Sequence, residues 1–194
     1  MLMVNGDRSV VEADLASGRL TGGCCGGVLA PWAHARWRTL RGFGGEAMLR
    51  PRRARCRGCG ATHVLLPDSC LLRRRDAVEV IGSAVVQHAA GVGHRPIAVR
   101  LGVPASTVRG WLRRFTGSAP EIAGFFIRWA LVLAPASDPP NPSGTAVADA
   151  VEAVGLAARS AFRRFGLAGP WHIAARLTGG GLLSNTSSLW SMPV

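Results

Sequence analysis

The chain contains no lysine and no tyrosine; each of its 23 basic residues is an arginine. With alanine, glycine and proline abundant, this reads as the coding bias of a GC-rich genome, so the choice of Arg over Lys says nothing by itself about binding. It does remove one site from consideration. The glycine cluster TGGGLLSNTS lacks the Gly-Lys-Ser/Thr ending of a phosphate loop, and no nucleotide site is expected there. Acids are also scarce, 11 in all and scattered. Strand transfer by two metal ions needs carboxylates clustered on a sizeable mixed sheet. Asp76 with Glu79, and Asp149 with Glu152, read instead as helix-surface charge. The chain is therefore expected not to be an enzyme, and no small-molecule substrate is expected.

Long apolar runs are missing as well. The longest, from Ile122 to Ala134, is too short to span a bilayer and contains Arg128. The opening MLMVNGDRSVVEADLASG acquires acids before it builds the apolar centre of a secretory signal. These features predict a cytoplasmic protein, nucleoid-associated if it binds DNA, with no membrane partner. Five cysteines in a reducing compartment point to metal or idle thiols rather than disulfides.

What is present is a chain of 194 residues, 48% apolar, enough for one ordinary core or two small ones. Its charge is uneven. Residues 1–120 hold 18 Arg against 7 acids, a balance of +11, whereas residues 121–194 hold 5 Arg against 4 acids, a balance of +1. A localised basic field favours a polyanion, and nucleic acid is the usual one.

The stretch HRPIAVRLGVPASTVRGWLRRF, residues 94–115, has the pattern of a helix-turn-helix. Ile97, Ala98 and Leu101 share one face of a short helix, Gly102 stands where the chain must turn, and Pro104 suits the start of the next helix. Val108, Trp111, Leu112 and Phe115 then recur at i, i+3, i+4 and i+7. Small residues at 98 and 102 allow two helices to cross closely. The opposite face offers Ser106, Arg109, Gly110 and Arg113, with Thr107 and Arg114 on its flank, to bases or phosphates, and Arg95 and Arg100 are placed for the backbone. The plain alternative is an amphipathic hairpin with a solvated basic face. Upstream, Val78, Ile81, Val85 and His88 or Ala89 are spaced for a helix from Asp76 to Gly91, which completes a three-helix unit. Arg73, Arg74 and Arg75 precede it. His88 and His94 lack metal-spaced partners and read as structural or exposed.

Between Cys24 and Pro67 the pattern is of short extended pieces, WAHARWRTL, LRPRRARC and THVLLP. Cys56 and Cys59 form a C-x-x-C followed by Gly60, and Cys25 is followed by Gly26 and Gly27. A metal knuckle needs two thiolates on one turn, with glycine letting the backbone amides approach the sulfurs. Two knuckles about thirty residues apart are the frame of a zinc ribbon. The first is irregular, because Gly22 stands where its first cysteine belongs and Cys24 adjoins Cys25. The candidate zinc ligands are Cys24, Cys25, Cys56 and Cys59, with His34, His63 or Cys70 as a substitute fourth. A ribbon without its metal, and cysteines that are merely core residues, remain open alternatives. Arg36, Arg38, Arg41, Arg50, Arg52, Arg53, Arg55 and Arg57 crowd this region against Glu46 alone. Arg52, Arg53 and Arg55 are expected at phosphates.

Elsewhere, Ser9 and Glu12 have capping-box spacing, predicting a helix from Val10 to Ala16 ended by Gly18. Glu121 to Pro135 reads as an apolar helix with Ile122, Phe125, Phe126, Trp129 and Val132 on one side. APASDPPNPSG is a break. Thr145 to Phe165 reads as a helix turning Val147, Val151, Val154, Ala158 and Phe162 to a core. This pair is either an antiparallel hairpin on the three-helix unit or the surface of a homodimer. The tail from Trp171 reads as a short amphipathic start followed by a loop with a lightly ordered end.

The segments GCCGGVLAPWAHARWR, RPRRARCRGCGATHVLLP, RRRDAVEVIG and IAVRLGVPASTVRGWLRRF together resemble a group of short actinobacterial proteins, helix-turn-helix or transposase-like, with an N-terminal zinc ribbon. The resemblance spans most of the chain, including LTGG near its end, and is most specific over residues 51–115. The group's first knuckle has the form C-P-x-C-G-G, from which this chain departs at Gly22. The resemblance implies sequence-directed DNA binding, often near mobile elements.

The expected fold is mainly α with a small β zinc-ribbon-like N-terminal region. Residues 1–70 form that region, 71–117 the three-helix helix-turn-helix unit, and 118–194 a helical hairpin with a proline-rich loop. The expected function is binding of double-stranded DNA through the second helix of the motif, in mobile-element biology or transcription regulation. Two alternatives stand beside it: an adaptor in which the ribbon and the Phe125, Phe126, Trp129 helix hold a recombinase or polymerase, and a degenerate transposase.

Overall fold

The computed structural model describes residues 1–23, 25–166 and 169–184. In chain order its elements are β1 (Leu2–Val4), α1 (Arg8–Ala16), β2 (Leu29–His34), β3 (Arg38–Gly42), β4 (Gly45–Leu49), β5 (Arg52–Cys56), β6 (Thr62–Pro67), α2 (Val78–Ala89), α3 (His94–Leu101), α4 (Ala105–Gly117), α5 (Ala119–Leu133), α6 (Ala146–Phe165) and α7 (Pro170–Leu177). Strands occupy the N-terminal third and helices the rest, as the apolar periods predict.

The four-stranded sheet runs β1-β6-β5-β2, with β3 and β4 forming a separate hairpin. β5 shows why a strand so rich in arginine is stable. Ala54 and Cys56 alternate inward while Arg55 points out, and β2 and β6 pair with it on either side in antiparallel register. β1 was not foreseen; it pairs in parallel with β6, Leu2 opposite Leu65. Val11 and Leu15, four apart on α1, close a small core with Val4, Leu29, Ala54, Cys56 and Leu65.

The start of α1 corrects the expected capping box. Asp7, not Ser9, is the N-cap, and its carboxylate accepts from both the backbone N–H of Ser9 at 2.8 Å and the Ser9 hydroxyl at 2.7 Å. A carboxylate also suits the positive end of the helix better than a hydroxyl. Glu12 instead pairs with Arg52 of β5 at 2.9 Å.

The larger core runs from Leu71 to Leu183 and draws on every helix from α2 to α7. Its cluster shows no break at residue 117. Ser118 alone separates α4 from α5, and α5 packs against α6 more extensively than any other two described elements pack together. Val78, Ile81 and Val85 are buried on α2 as their spacing predicts. Two helical faces are shifted from expectation. On α5, Ala130 is buried and Val132 is 53% exposed; on α6, Ala161 is buried in a small cluster with Ala158 and Ile173, and Phe162 is 50% exposed. Phe125 and Phe126 are buried and so cannot contribute to the adaptor surface expected on this helix, whereas Trp129 is half-buried.

The segment after α7 packs firmly where a loop was expected. Leu182 and Leu183 enter the large core, the Leu72 N–H donates to the Gly180 carbonyl at 2.9 Å, and Arg74 donates to the Leu183 carbonyl at 2.9 Å. The end of the tail, residues 185–194, lies outside the described residues.

Candidate nucleic-acid interface and metal centre

The second helix of the motif has the two faces its sequence implies. Val108, Trp111, Leu112 and Phe115 are buried, and Ser106, Arg109 and Arg113 are exposed. Positions 109 and 113 lie one turn apart, about 6 Å along the axis, with 106 on the same side. The helix can present two guanidinium groups and a hydroxyl to one surface without disturbing its packing.

The turn that positions it is short. Gly102 takes the left-handed conformation at φ 62°, ending α3, and the Val103 N–H closes onto the Ala98 carbonyl at 3.1 Å. Val103 is buried in the corner. Pro104 is the N-cap of α4, one position earlier than a first-turn residue, and its carbonyl accepts from Thr107 and Val108. Thr107 and Arg114 are half-buried, and Arg114 reaches back to the Gly110 carbonyl at 2.9 Å. On α3, Arg95 and Arg100 are exposed, and Arg100 donates to the Gln87 side chain at 3.0 Å.

The arginines of the β-region divide by what they touch. Arg52 is tied to Glu12 and donates to the Ala33 carbonyl at 3.1 Å. Arg41 forms an ion pair at 2.8 Å with Asp76, itself buried, and its backbone bonds to Arg75 and Ala77, fastening the β3–β4 hairpin to the start of α2. Arg53 donates to Thr62 at 3.2 Å, and Arg55 to the Gly60 carbonyl at 3.2 Å. Arg36, Arg38, Arg50, Arg55 and Arg57 are exposed.

The structure brings Cys25, Cys56 and Cys59 together, their sulfurs all within 4.8 Å of one another and those of Cys25 and Cys56 3.4 Å apart. The three could hold a metal ion. The surrounding backbone is shaped to sulfur. A Cβ on Gly27 would stand 2.7 Å from the Cys56 sulfur, and one on Gly58 3.2 Å from that of Cys25. Gly26 and Gly60 turn the chain at φ 70° and 73°. The Cys59 backbone N–H is the strongest influence on Cys56; with Cys25 and the Gly58 N–H it outweighs burial and lowers the thiol from 9.0 to about 6. The shift favours the thiolate, the form a metal requires.

Cys24 lies outside the described residues. His34, His63 and Cys70 do not belong to the cluster. His34 ends β2, five residues from Leu29, the partner of Cys56, so about 16 Å of strand intervenes. Cys70 is buried beside Ser69, and burial pushes its thiol up, away from the thiolate form.

A cluster that sequence reasoning missed joins the two parts of the molecule. His172 of α7 contacts Asp68, just after β6, through Nδ1 at 2.9 Å, and Glu79 of α2 through Nε2. Arg176 of α7 donates to the other Asp68 oxygen at 2.5 Å. Asp68, then Glu79, raise His172 from 6.5 to about 9 against the effect of burial, so it is a cation at neutral pH. Burial raises the Asp68 carboxyl, but His172 and Arg176 more than reverse this; His172 likewise holds Glu79 below its ordinary value. Its position suits a fastening between modules.

Residues 78–122, spanning α2, α3, α4 and the first turn of α5, match the homeodomain-like domain family, a helix-turn-helix domain of the kind that binds DNA. No curated protein and no solved structure matches the chain. No helix among the described residues is long and apolar enough to cross a membrane.

Proposed function

We propose that this chain, with a homeodomain-like unit at residues 78–122, reads double-stranded DNA by laying α4 in the major groove and performs no catalysis on it. The observation that carries this reading is the division of α4. Val108, Trp111, Leu112 and Phe115 hold one face in the core, while Ser106, Arg109 and Arg113 stand exposed on the other. Arg109 and Arg113 are the base-edge contacts, with Ser106 and Thr107 beside them; Arg95 and Arg100 meet phosphates from α3. Arg114 contributes charge from the flank. Such a protein acts at a transcription-control site or beside a mobile element, in the nucleoid.

The three-cysteine centre is read as a zinc site held by Cys25, Cys56 and Cys59, with Cys24 the remaining candidate. Zinc there is structural, joining the β2 and β5 ends of the sheet. Arg53 and Arg55, on the same strand as Cys56, add charge without sequence information.

A salt titration tests the reading. Binding to a duplex must weaken steeply as salt rises, each phosphate contact adding about one unit of logarithmic slope. Shallow dependence, or no binding in dilute buffer, overturns it. Selection from a random duplex pool then identifies the site, and a palindromic winner means that two copies bind symmetrically.

A further inference from the structure

The β-region displays two tryptophans that no core requires. Trp32 is 56% exposed and Trp37 is 59% exposed, and neither belongs to the small cluster formed by Val4, Val11, Leu15 and their neighbours. Each has an arginine over its ring. The guanidinium carbon of Arg55 lies 5.1 Å from the Trp32 centroid, and that of Arg50 5.5 Å from Trp37.

Local structure turns both rings outward. Trp32 is the residue that the β2–β5 register skips, between the pairs Pro31–Ala54 and Ala33–Arg53, and β2 is an edge of the sheet. A bulge takes its extra residue out of the ladder and re-aims the side chain. Trp37 and Arg50 stand just outside the Arg38–Leu49 pair that closes the open end of the β3–β4 hairpin. Five residues apart, the two rings belong to segments separated by at most about 18 Å, a span that a few nucleotides cover.

The charge around them has one sign. Arg36, Arg38 and Arg57 are also exposed, and Glu46 is the one acid between Asp14 and Asp68. A flat exposed ring, a guanidinium against it and a surplus of positive charge are what an unpaired base and its phosphate need. A duplex keeps its base faces stacked on each other, so it would engage these arginines and leave the tryptophans idle. An apolar protein surface would meet guanidinium groups around every ring.

We propose that the β-region is a second nucleic-acid site that binds single-stranded DNA, stacking unpaired bases on Trp32 and Trp37 while Arg36, Arg38 and Arg57 follow the backbone. The site is on a different part of the molecule from α4 and does not rest on the duplex reading.

The test uses the full chain and a fluorescein-labelled oligothymidine of about 15 nucleotides, near the upper site size of one stacking module, followed by anisotropy. The double variant Trp32→Ala, Trp37→Ala binds it at least about tenfold more weakly, with duplex affinity and circular dichroism unchanged. Trp32→Phe with Trp37→Phe keeps most of the affinity, because a flat ring remains. Arg113→Ala does the reverse, weakening duplex binding and sparing the oligothymidine. The proposal fails if the parent protein ignores the oligothymidine in dilute buffer, whatever it does with duplex. It also fails if the alanine variant binds as the parent does, if both affinities fall together, or if phenylalanine does not restore binding.

Discussion

The indole of Trp171 lies against the backbone of Gly82, so closely that a Cβ at position 82 would come within 2.3 Å of three of its ring carbons. The same indole meets the ring of Phe115 edge-on, with centroids 6.4 Å apart and planes at 68°. One side chain of α7 thus touches both α2 and α4. The helix bearing the exposed arginines is held from behind by the C-terminal part of the chain.

Gly82→Ala is therefore destabilising, although alanine favours a helix more than glycine does by about 1 kcal/mol. The methyl group must displace an aromatic ring lodged between helices, and overpacking of this kind costs about 1–3 kcal/mol. Urea denaturation reads the loss. Adding Trp171→Ala removes the clash, so the double variant loses less than the two single losses summed.

The His172 cluster sets a pH dependence opposite to that of most buried carboxylates. The folded state keeps the His172 proton up to about pH 9, whereas the unfolded chain releases it near 6.5. The stabilisation is complete below 6.5 and disappears as pH rises to 9. Its size is about 2 kcal/mol, less than the whole shift implies because Glu79 is partly solvated and screened. Asp68 and Glu79, both lowered, contribute fully above the ordinary carboxylate range and lose that contribution as pH falls from it through their lowered values. Because the lowered Cys56 thiol adds stability as pH rises over the same window, the test is the difference. The stability gap between the parent protein and His172→Gln, measured from pH 6 to 9.5, should shrink as pH rises.

The proposed zinc site predicts that zinc content follows the cysteines unequally. Cys25→Ser, Cys56→Ser and Cys59→Ser each reduce bound zinc in the purified protein, and Cys70→Ser leaves it intact. Gly27→Ala lowers zinc affinity without removing a ligand, since its Cβ would stand 2.7 Å from the Cys56 sulfur. Because the small core contains few side chains, chelation should also lower the melting temperature.

Two arginines separate reading from holding. Arg109→Ala relaxes sequence preference by about 1–3 kcal/mol if it meets a base edge in bidentate fashion. Arg52→Ala leaves duplex binding nearly unchanged and lowers stability instead, because its guanidinium is already engaged by Glu12 and the Ala33 carbonyl. Competition between matched and mismatched duplexes, with melting curves for both variants, distinguishes the two roles.

The amphipathic period of α4 was legible because one helix face repeats every three or four residues, and Gly102 because its left-handed turn favours glycine. The cysteine knuckles were legible for a similar local reason. What sequence did not reveal depends on distant partners. Glu79 and His172 are 93 residues apart and Asp68 and Arg176 are 108 apart, distances at which no periodicity operates. Nor could a count of arginines show that Arg41 and Arg52 are paired with acids, whereas Arg50 and Arg55 lie over indoles. The apolar run holding Phe125 and Phe126 does not reveal that both rings lie in the interior, on a helix that packs closely against α6.

Ser118 is the entire connection between α4 and α5. Inserting one residue there would rotate the second helix by about 100° relative to the first, swinging Ile122, Phe125 and Phe126 out of the interior they now fill. The phase between the two helices is consequently a requirement of the fold beside the identity of their side chains, and length variation at this joint should be poorly tolerated.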